Sequence, residues 1–323
     1  MPSCIAALTP PRKGARQVRQ RKSLILPFRL AHLSDLHIGP LPAVRLRQLV
    51  GKRLTGYWNW HSSRKTIHDM MVLEQVVADI AAAGADHVAC TGDLANLGLP
   101  AEFETARHAL DVLGGPEQVS LIPGNHDAYV GESLPAMAAA LAPFMRGDAG
   151  PGFPYLRRRD GVALIGVNSG VTTMPFMATG AVGAPQAEAL AGLLRHTAAK
   201  GLTRVVMIHH PPHFHGTRWG RRLSDAARIE ALLAAEGAEL VIHGHNHRHS
   251  VAWLKGPRRP VPVVGVASAS AVPGSPAHQA AWHLYTIAGT GAAVTIDVHV
   301  HGRQPDGRFA ESAVFRLDAE AQS

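Results

Sequence analysis

The stretch SLIPGNHD, residues 120–127, joins a short apolar run to a cluster of polar side chains. Four other stretches have the same design, so that the chain contains, in order, LAHLSDLH (30–37), HVACTGD (87–93), SLIPGNHD (120–127), VVMIHH (205–210) and LVIHGHNH (240–247). Apolar runs of this length are typical of buried strands. In open α/β sheets, functional sites form beyond the carboxyl ends of strands. The pattern therefore predicts that five distant polar clusters meet at one edge of the fold.

The clusters contain aspartates, histidines and one asparagine. Mixed nitrogen and oxygen donors suit first-row transition metals, whereas calcium and magnesium sites are built from oxygens alone. In DLH (35–37) and HNH (245–247) the spacing of two residues places both polar side chains on one face of an extended segment. Asp93 follows Gly92, which lets the backbone come close to a metal. Asp93 is the best candidate for a shared ligand if two ions are bound, because ions roughly 3.5–4 Å apart need an anionic bridge.

The ordered motifs D-x-H, G-D, G-N-H-D, H-H-P-P and G-H-N-H resemble those of the calcineurin-like metallophosphoesterase superfamily. The resemblance extends from about residue 30 to residue 247, which is most of the chain. The forms HHPP (209–212) and GHNH (244–247) are most similar to those of bacterial class III cyclic nucleotide phosphodiesterases. The resemblance implies an α/β fold, a four-layer αββα sandwich of two mixed β-sheets flanked by helices.

The resemblance also implies two divalent transition-metal ions, which could be manganese, iron or zinc. One ion would be held by Asp35, His37, Asp93 and His247, and the second by Asp93, Asn125, His209 and His245. We expect a hydroxide that bridges the two ions to be the nucleophile, so that no Ser or Cys nucleophile is required. The reaction is then the hydrolysis of a phosphoester bond.

Three further residues of the motifs have expected roles beside the metals. His126 is expected to stabilise charge on the phosphate or to protonate the leaving oxygen. Asp127 either holds the tautomer of His126 or accepts hydrogen bonds from backbone donors of its loop. His210 is expected to orient a neighbouring ligand.

Arginines at 218, 221 and 222 follow the HHPP motif, with Trp219 between them. Arg218, Arg221 and Arg222 could bind a second phosphate or stack on a base, and the alternative is a solvated loop.

We expect a phosphodiesterase that acts on a small nucleotide-type substrate, with a 3′,5′-cyclic nucleotide as the first candidate. One alternative is a membrane-surface hydrolase of the type that cleaves the pyrophosphate of UDP-diacylglucosamine, although the best-known such enzymes carry Arg where this chain has His126. A second alternative is a non-catalytic metal-binding scaffold, but such proteins have typically lost several ligands and none is missing here. A nuclease is disfavoured by the charge of the catalytic region.

The net charge of +8 is distributed unevenly along the 323 residues. Residues 1–65 contain thirteen Lys/Arg and one acid, whereas residues 66–323 contain nineteen Lys/Arg and twenty-three acids. We therefore expect a basic, disordered N-terminal tail over residues 1–26, one catalytic domain over 27–318 and a C-terminal tail over 319–323. No specific nucleic-acid partner is expected, and the two cysteines, Cys4 and Cys90, are not expected to pair. Two cysteines that do not pair are typical of a cytoplasmic protein.

Residues 41–65 form a basic segment in which apolar side chains recur at helical spacing. The segment ends in the aromatic run YWNW (57–60). Such a stretch either lies on the anionic inner membrane surface, together with the basic tail, or packs its apolar stripe onto the domain as a cap beside the metals.

Elsewhere, periodicity predicts helices over residues 68–83, 101–113, 185–199 and 224–236, and strands over 251–254, 261–266, 282–287 and 293–300. Helices and strands alternate early and strands dominate late, which agrees with the sandwich.

Overall fold

The structure, a computed structural model, describes residues 26–272 and 279–318. The strands in this part of the chain are β1 Phe28–Leu33, β2 His87–Cys90, β3 Val119–Leu121, β4 Arg146–Gly147, β5 Gly150–Pro151, β6 Tyr155–Arg159, β7 Val162–Gly166, β8 Thr203–Met207, β9 Leu240–His243, β10 Ser250–Leu254, β11 Val261–Gly265, β12 Ala281–Ala288, β13 Thr295–Arg303 and β14 Phe309–Arg316. The helices are α1 Lys52–Ser62, α2 Met70–Ala83, α3 Pro100–Leu113, α4 Ser133–Leu141, α5 Ala184–Ala199 and α6 Ala226–Glu236. Short 3-10 helices cover Leu46–Gln48, Arg64–Thr66, Ala142–Met145 and Gly291–Ala293.

Two six-stranded mixed sheets form the centre of the fold. The first has the order β14-β13-β12-β1-β2-β3, in which β1, β2 and β3 are parallel and β12, β13 and β14 continue the sheet antiparallel. The second has the order β10-β11-β9-β8-β7-β6, with four parallel strands inside and antiparallel β10 and β6 at its edges. The five strands that precede the polar clusters are therefore neighbours: β1, β2 and β3 in one sheet, β8 and β9 in the other.

Buried apolar side chains fill three interfaces between four layers. Leu30 and Met207 belong to the core between the two sheets. Val76 of α2 and Phe103 of α3 pack on the outer face of the first sheet, and Leu190 of α5 packs on the outer face of the second. Each such side chain contributes about 1.5–3 kcal/mol when fully buried. The predicted αββα sandwich is confirmed.

Most predicted elements agree with the structure within two residues. The helix predicted from residue 68 begins at Met70, because Asp69 accepts a hydrogen bond from the backbone N–H of Met71 and so caps it. It ends where Gly84 adopts a left-handed φ of 64°. Helix α4 and strands β4, β5, β6, β7 and β14 were not predicted. Helix α4 is rich in alanine, and β14 lies at the open edge of its sheet with mostly exposed side chains.

Segment 41–65 covers the polar loops as a short helical cap. Arg53 fastens α1 to the domain, because its buried guanidinium donates to the carbonyls of Leu97 at 3.0 Å and Gly98 at 2.7 Å. Gly56 allows α1 to lie close to Tyr129, since a Cβ at this position would overlap the hydroxyl of Tyr129. The inward face of α1 is therefore formed by an arginine and a glycine.

Four apolar side chains of this segment point outward, whereas Leu41, Val44 and Tyr57 pack against the domain. Leu46, Val50, Leu54 and Trp58 have exposed fractions of 88%, 74%, 57% and 74%. The expectation that the apolar stripe packs onto the domain is wrong for these four residues, because the inward positions are occupied by Arg53 and Gly56.

The described helices include none that is long and apolar enough to cross a membrane. Residues 1–25 and 319–323, which hold the predicted tails and Cys4, lie outside the described residues. Cys90 is a buried free thiol.

Candidate metal centre

The loops after β1, β2, β8 and β9 are joined to one another by backbone hydrogen bonds. Asp35 donates its N–H to the carbonyl of Gly92 at 2.9 Å, which links the first two loops. The N–H of His245 donates to Asp35 Oδ2 at 2.9 Å, and the N–H of Gly244 donates to the His209 carbonyl at 3.2 Å. The bond from His245 to Asp35 crosses from one sheet to the other, so both sheets position one site.

Most of the predicted metal residues have a strained backbone. Among the described residues, seven that are not glycine have a positive φ, and five of the seven are Asp35, His37, Asp93, His245 and His247. Their φ angles lie between 41° and 68°. The left-handed region costs a non-glycine residue about 1–3 kcal/mol and occurs mainly at functional sites. The fold therefore holds these five side chains against their backbone preference.

Two buried carboxylates lie at the centre of the cluster. Asp93 Oδ2 is 3.4 Å from His209 Nε2 and 3.9 Å from His37 Nε2. Asp35 Oδ1 is 3.2 Å from His247 Nε2, yet the geometry gives this buried oxygen no hydrogen bond among the described residues. A buried carboxylate oxygen without a donor is costly unless a cation compensates it.

The imidazole rings direct ring nitrogens at the same place. Three rings lie against backbone carbonyls and donate one N–H each: His37 Nδ1 to Ala95 at 3.2 Å, His209 Nδ1 to Thr91 at 2.7 Å and His245 Nε2 to Arg221 at 2.7 Å. These contacts assign the tautomers and leave the other nitrogen free, as in metal-binding histidines. His37 Nε2 lies 3.3 Å from His247 Nε2, and His245 Nδ1 lies 3.3 Å from His209 Nε2. Ring nitrogens that face each other this closely need a proton or a metal ion between them.

The electrostatics favour positive charge at the centre. Burial alone would lower the pKa of His209, but the Asp93 carboxylate raises that pKa to about 9. Burial would also raise the pKa of Asp93, but the neighbouring His209 and His126 hold it well below its usual range. The carboxylate therefore attracts a cation, whether a proton on His209 or a metal ion.

Three groups of side chains have ligand atoms within 4.8 Å of one another: Asp35, His37 and Asp93; His209, His210 and His245; and His37, His68 and His247. Asn125 joins the second group, because its Oδ1 is 3.2 Å from His209 Nε2. The structure thus brings all seven predicted metal residues together. Their donor set of carboxylate, imidazole and amide fits two transition-metal ions.

The surroundings of His126 decide between the two expectations for Asp127. Asp127 accepts hydrogen bonds from four backbone N–H groups, including that of Asp93 at 2.7 Å, and so fixes the loop. The tautomer of His126 is instead set by the carbonyl of Asn96, which lies 2.7 Å from His126 Nδ1. Burial lowers the pKa of His126 to about 3, and the cation of Arg64 adds to the effect.

His210 makes contacts suited to an orienting role. Its Nδ1 is 2.8 Å from Ser169 Oγ and its Nε2 is 3.3 Å from the Ala178 carbonyl. Both nitrogens are thus engaged, while the ring lies against His245 with centroids 4.4 Å apart. His210 can hold the His245 ring in place.

The three arginines predicted to bind substrate occupy different places. Arg221 adjoins the metal cluster and donates from Nη2 to the His245 carbonyl at 2.9 Å. Arg222 lies over the ring of Phe214 at 4.5 Å, and Arg218 is exposed. Of the three, Arg221 is the one that contacts a predicted ligand.

The sequence reasoning missed three residues near the centre. Arg64 extends from a 3-10 helix so that Nη1 is 3.4 Å from His126 Nδ1. His68 places a ring 4.5 Å from that of His37, and its buried Nε2 has no hydrogen bond among the described residues. Lys52 lies over the ring of Tyr129 at 4.7 Å. The acid-free, basic composition of residues 36–68 was the available signal for Arg64 and Lys52.

A cavity of about 1140 Å³ opens between α1 and residues 176–178. Asn125 and His126 form its inner end, so it leads directly to the metal cluster. Much of its remaining wall is apolar or aromatic, with Tyr57, Trp58 and Phe176 among its residues.

A sequence model of the calcineurin-like phosphoesterase family matches residues 28–249. A search of curated protein sequences gave no match. Among solved structures, a dimetal phosphatase from Danio rerio superposes with a TM-score of 0.61 at 11% identity, over 91% of this chain and 99% of its own. A purple acid phosphatase from yellow lupin gives 0.49 at 11% identity over 90% and 53%, and a sulfate thiohydrolase from Thermus thermophilus gives 0.48 at 15% over 91% and 57%. The first of these similarities agrees with the fold described above.

Asp93 is predicted to bridge the two ions, and its replacement should therefore reduce metal content. We expect Asp93→Asn to bind less metal per chain than the wild type after reconstitution with Mn²⁺, because the amide removes the shared negative charge. Elemental analysis by mass spectrometry measures the number of manganese ions per chain. Asp111→Asn, at an exposed carboxylate of α3, is the matched control and should bind as much as the wild type. Equal metal content in Asp93→Asn and the wild type would contradict the bridge.

Proposed function

Because this chain belongs to the calcineurin-like phosphoesterase family and is a hydrolase acting on phosphoester bonds, we propose that it is a dinuclear metal-dependent phosphodiesterase of small nucleotide-type substrates. The observation that carries the proposal is the convergence of buried carboxylates and ring nitrogens at one point. The forms of the motifs make a 3′,5′-cyclic nucleotide the first substrate to test.

The residues that would hold the two ions are Asp35, His37, Asp93 and His247 for one, and Asp93, Asn125, His209 and His245 for the other. When bound, the ions activate a water molecule as the nucleophile and neutralise phosphate oxygens. The carbonyls behind His37, His209 and His245 keep these rings in the tautomers that ligation needs.

His126 is the proposed residue for the leaving group. Its Nδ1–H is held by the Asn96 carbonyl, so Nε2 is the nitrogen available to the substrate. The ring stacks on Tyr129, with centroids 5.4 Å apart and planes 25° apart, which fixes its orientation. With its lowered pKa the ring is neutral in the free protein, and the negative charge of a bound phosphate makes Nε2 more basic. Nε2 can then take up a proton from water and pass it to the oxygen that leaves.

Arg64 and Arg221 are proposed to bind phosphate oxygens. Both guanidinium groups lie beside the metal residues, and neither has a carboxylate within salt-bridge distance in residues 26–272 and 279–318. A guanidinium matches the geometry of phosphate through paired N–H donors. A phosphodiester is therefore a better partner for this charge than any side chain near it.

A second candidate function is hydrolysis of a lipid-linked nucleotide pyrophosphate at a membrane surface. The observation that favours it is the outward-facing apolar side chains of segment 46–58, on a stretch from residue 36 to residue 68 that contains six Lys/Arg and no acid. Apolar side chains insert into the headgroup region while neighbouring bases attract anionic lipid. Peripheral contact with anionic membrane is part of this proposal.

A substrate panel on the manganese-loaded enzyme tests the proposed function. We expect hydrolysis of bis(p-nitrophenyl) phosphate and of at least one natural phosphodiester or pyrophosphate, and loss of both activities after treatment with a chelator. Comparison of a 3′,5′-cyclic nucleotide with detergent-dispersed UDP-diacylglucosamine separates the two candidates. A metal-loaded protein that hydrolyses none of these compounds would contradict the proposal.

His126→Ala should lower kcat by roughly 10²–10⁴-fold while metal content stays near that of the wild type, because the ring acts on the substrate rather than on a metal. If Nε2 supplies a proton, the loss should be smaller for esters with good leaving groups such as p-nitrophenol. His108→Ala, at an exposed histidine of α3, is the control and should retain full activity. A His126→Ala variant that has lost its metal would refute the role.

The membrane proposal predicts salt-sensitive binding to vesicles of anionic phosphatidylglycerol. The double variant Leu46→Ser/Val50→Ser should bind roughly tenfold more weakly, because it removes apolar contact with the bilayer. Its hydrolysis of a soluble substrate should be unchanged, since neither residue lines the cavity. Val112→Ser/Val314→Ser, at exposed apolar residues elsewhere, is the matched control.

Co-sedimentation with the vesicles at low and high salt measures this binding. Salt should weaken it, because screening acts over about 8–10 Å at ordinary ionic strength. A variant that lacks residues 1–26 measures the contribution of the basic tail separately. No binding of the full chain at low salt, or equal binding of Leu46→Ser/Val50→Ser, would contradict membrane contact through this segment.

A further inference from the structure

The cavity beside α1 is larger than a phosphate group requires. Its volume of about 1140 Å³ exceeds the roughly 300–1,000 Å³ of ordinary small-molecule sites. Only the inner end, at Asn125 and His126, belongs to the metal cluster. Most of the space therefore lies between the reaction centre and the protein surface, where the part of the substrate beyond the scissile phosphate must lie.

Positive charge is concentrated toward the inner part of this cavity. Arg64 reaches His126, and Lys52 donates to the hydroxyl of Thr173 at 2.6 Å and to the carbonyl of Met177 at 3.2 Å. Neither cation has a carboxylate partner within salt-bridge distance among the residues that the structure describes. Burial lowers the pKa of Lys52 to about 8, so a bound anion would stabilise its charged form. An anionic group of the ligand is thus expected beside Lys52 and Arg64 and not at the mouth of the cavity.

The outer part of the cavity is formed by apolar groups. Leu54, Trp58 and Phe176 line it and are also exposed at its mouth, with exposed fractions of 57%, 74% and 90%. Met177 lines it as well. Apolar surface that remains in contact with water both inside a cavity and at its mouth is unfavourable unless a ligand covers it.

A nucleobase is a poor match for these walls. Base edges require hydrogen-bond partners, but the hydroxyls of Thr55 and Ser62 already donate to carbonyls of their own helix, those of Lys52 and Trp58. Of the polar groups on α1 that line the cavity, the side chains of Asn59 and His61 and the hydroxyl of Tyr57 remain for a base. A flexible hydrocarbon chain needs no such partner and can fill an irregular apolar space.

We propose that this cavity receives the long alkyl or acyl chain of an amphiphilic phosphoester, whose phosphate lies against Arg64 and the metal residues. The inference rests on the proposed metal-dependent hydrolysis of phosphoesters, and it favours the lipid-linked substrate of the second candidate over a cyclic nucleotide. Lys52 and Arg64 bind the anionic part, and Leu54, Trp58, Phe176 and Met177 cover the hydrocarbon. The chain enters at the apolar mouth, next to the exposed residues of segment 46–58.

A series of n-alkylphosphonates tests the inference, because these compounds carry a phosphate-like head and cannot be hydrolysed. Their affinity for the manganese-loaded full chain is measured by calorimetry and by competition against bis(p-nitrophenyl) phosphate, below the concentration at which they form micelles. We expect affinity to rise roughly threefold to fourfold per methylene until the cavity is filled. Affinity that is the same for the methyl and decyl compounds would overturn the inference.

The variant Leu54→Ser/Met177→Ser should flatten this dependence on chain length but bind methylphosphonate as the wild type does. Val112→Ser, at an exposed valine of α3, should keep the full dependence. Retained methylphosphonate binding also shows that the double variant is folded. An unchanged slope in Leu54→Ser/Met177→Ser would overturn the placement of the chain.

The outcomes separate this inference from the function on which it rests. If the enzyme hydrolyses bis(p-nitrophenyl) phosphate and binds methylphosphonate but ignores chain length, the cavity proposal fails and the phosphodiesterase stands. If a 3′,5′-cyclic nucleotide competes more strongly than decylphosphonate, the cavity holds a nucleoside and the inference is again overturned. If neither metal nor methylphosphonate binds, the proposed function itself fails.

Discussion

The carboxylates of Asp35 and Asp93 are buried among imidazole rings, and compensation of this buried negative charge is the constraint on which the rest of the site depends. Two anions so close together in a water-poor environment repel each other, and isolated burial of either would cost several kcal/mol. The fold meets the constraint in part with donors, such as the N–H of His126 to Asp93 Oδ1 at 2.7 Å. It leaves the remaining oxygen atoms and ring nitrogens directed at a common centre, where two metal ions fit.

The same constraint explains the shape of the surrounding backbone. Parallel strands of two sheets end side by side, and their loops turn through left-handed residues so that side chains point inward rather than to solvent. At Gly92 a Cβ would overlap the backbone N of Gly124. The loops that contain these two residues can therefore lie this close together only with glycine at position 92. Asp127 then ties the loop together through four backbone N–H groups. Strain at the metal residues is thus balanced by hydrogen bonds a few residues away.

The sequence predicted the five strands that precede the polar clusters and the meeting of those clusters, because both depend on local patterns. An apolar run such as residues 240–242 specifies a buried strand, and the polar residues that follow it must then lie at the strand end. Arg64 and His68 approach the centre through a 3-10 helix and an isolated bridge, which depend on tertiary contacts that periodicity does not report. The orientation of α1 was also beyond the sequence, since the buried Arg53 reverses the usual rule that apolar side chains face inward.

Anomalous X-ray scattering from crystals of the manganese-loaded protein would show whether two ions share Asp93. We expect two manganese peaks, both within bonding distance of the Asp93 carboxylate, one beside His37 and His247 and the other beside His209 and His245. A single peak, or two peaks of which only one contacts Asp93, would contradict this expectation.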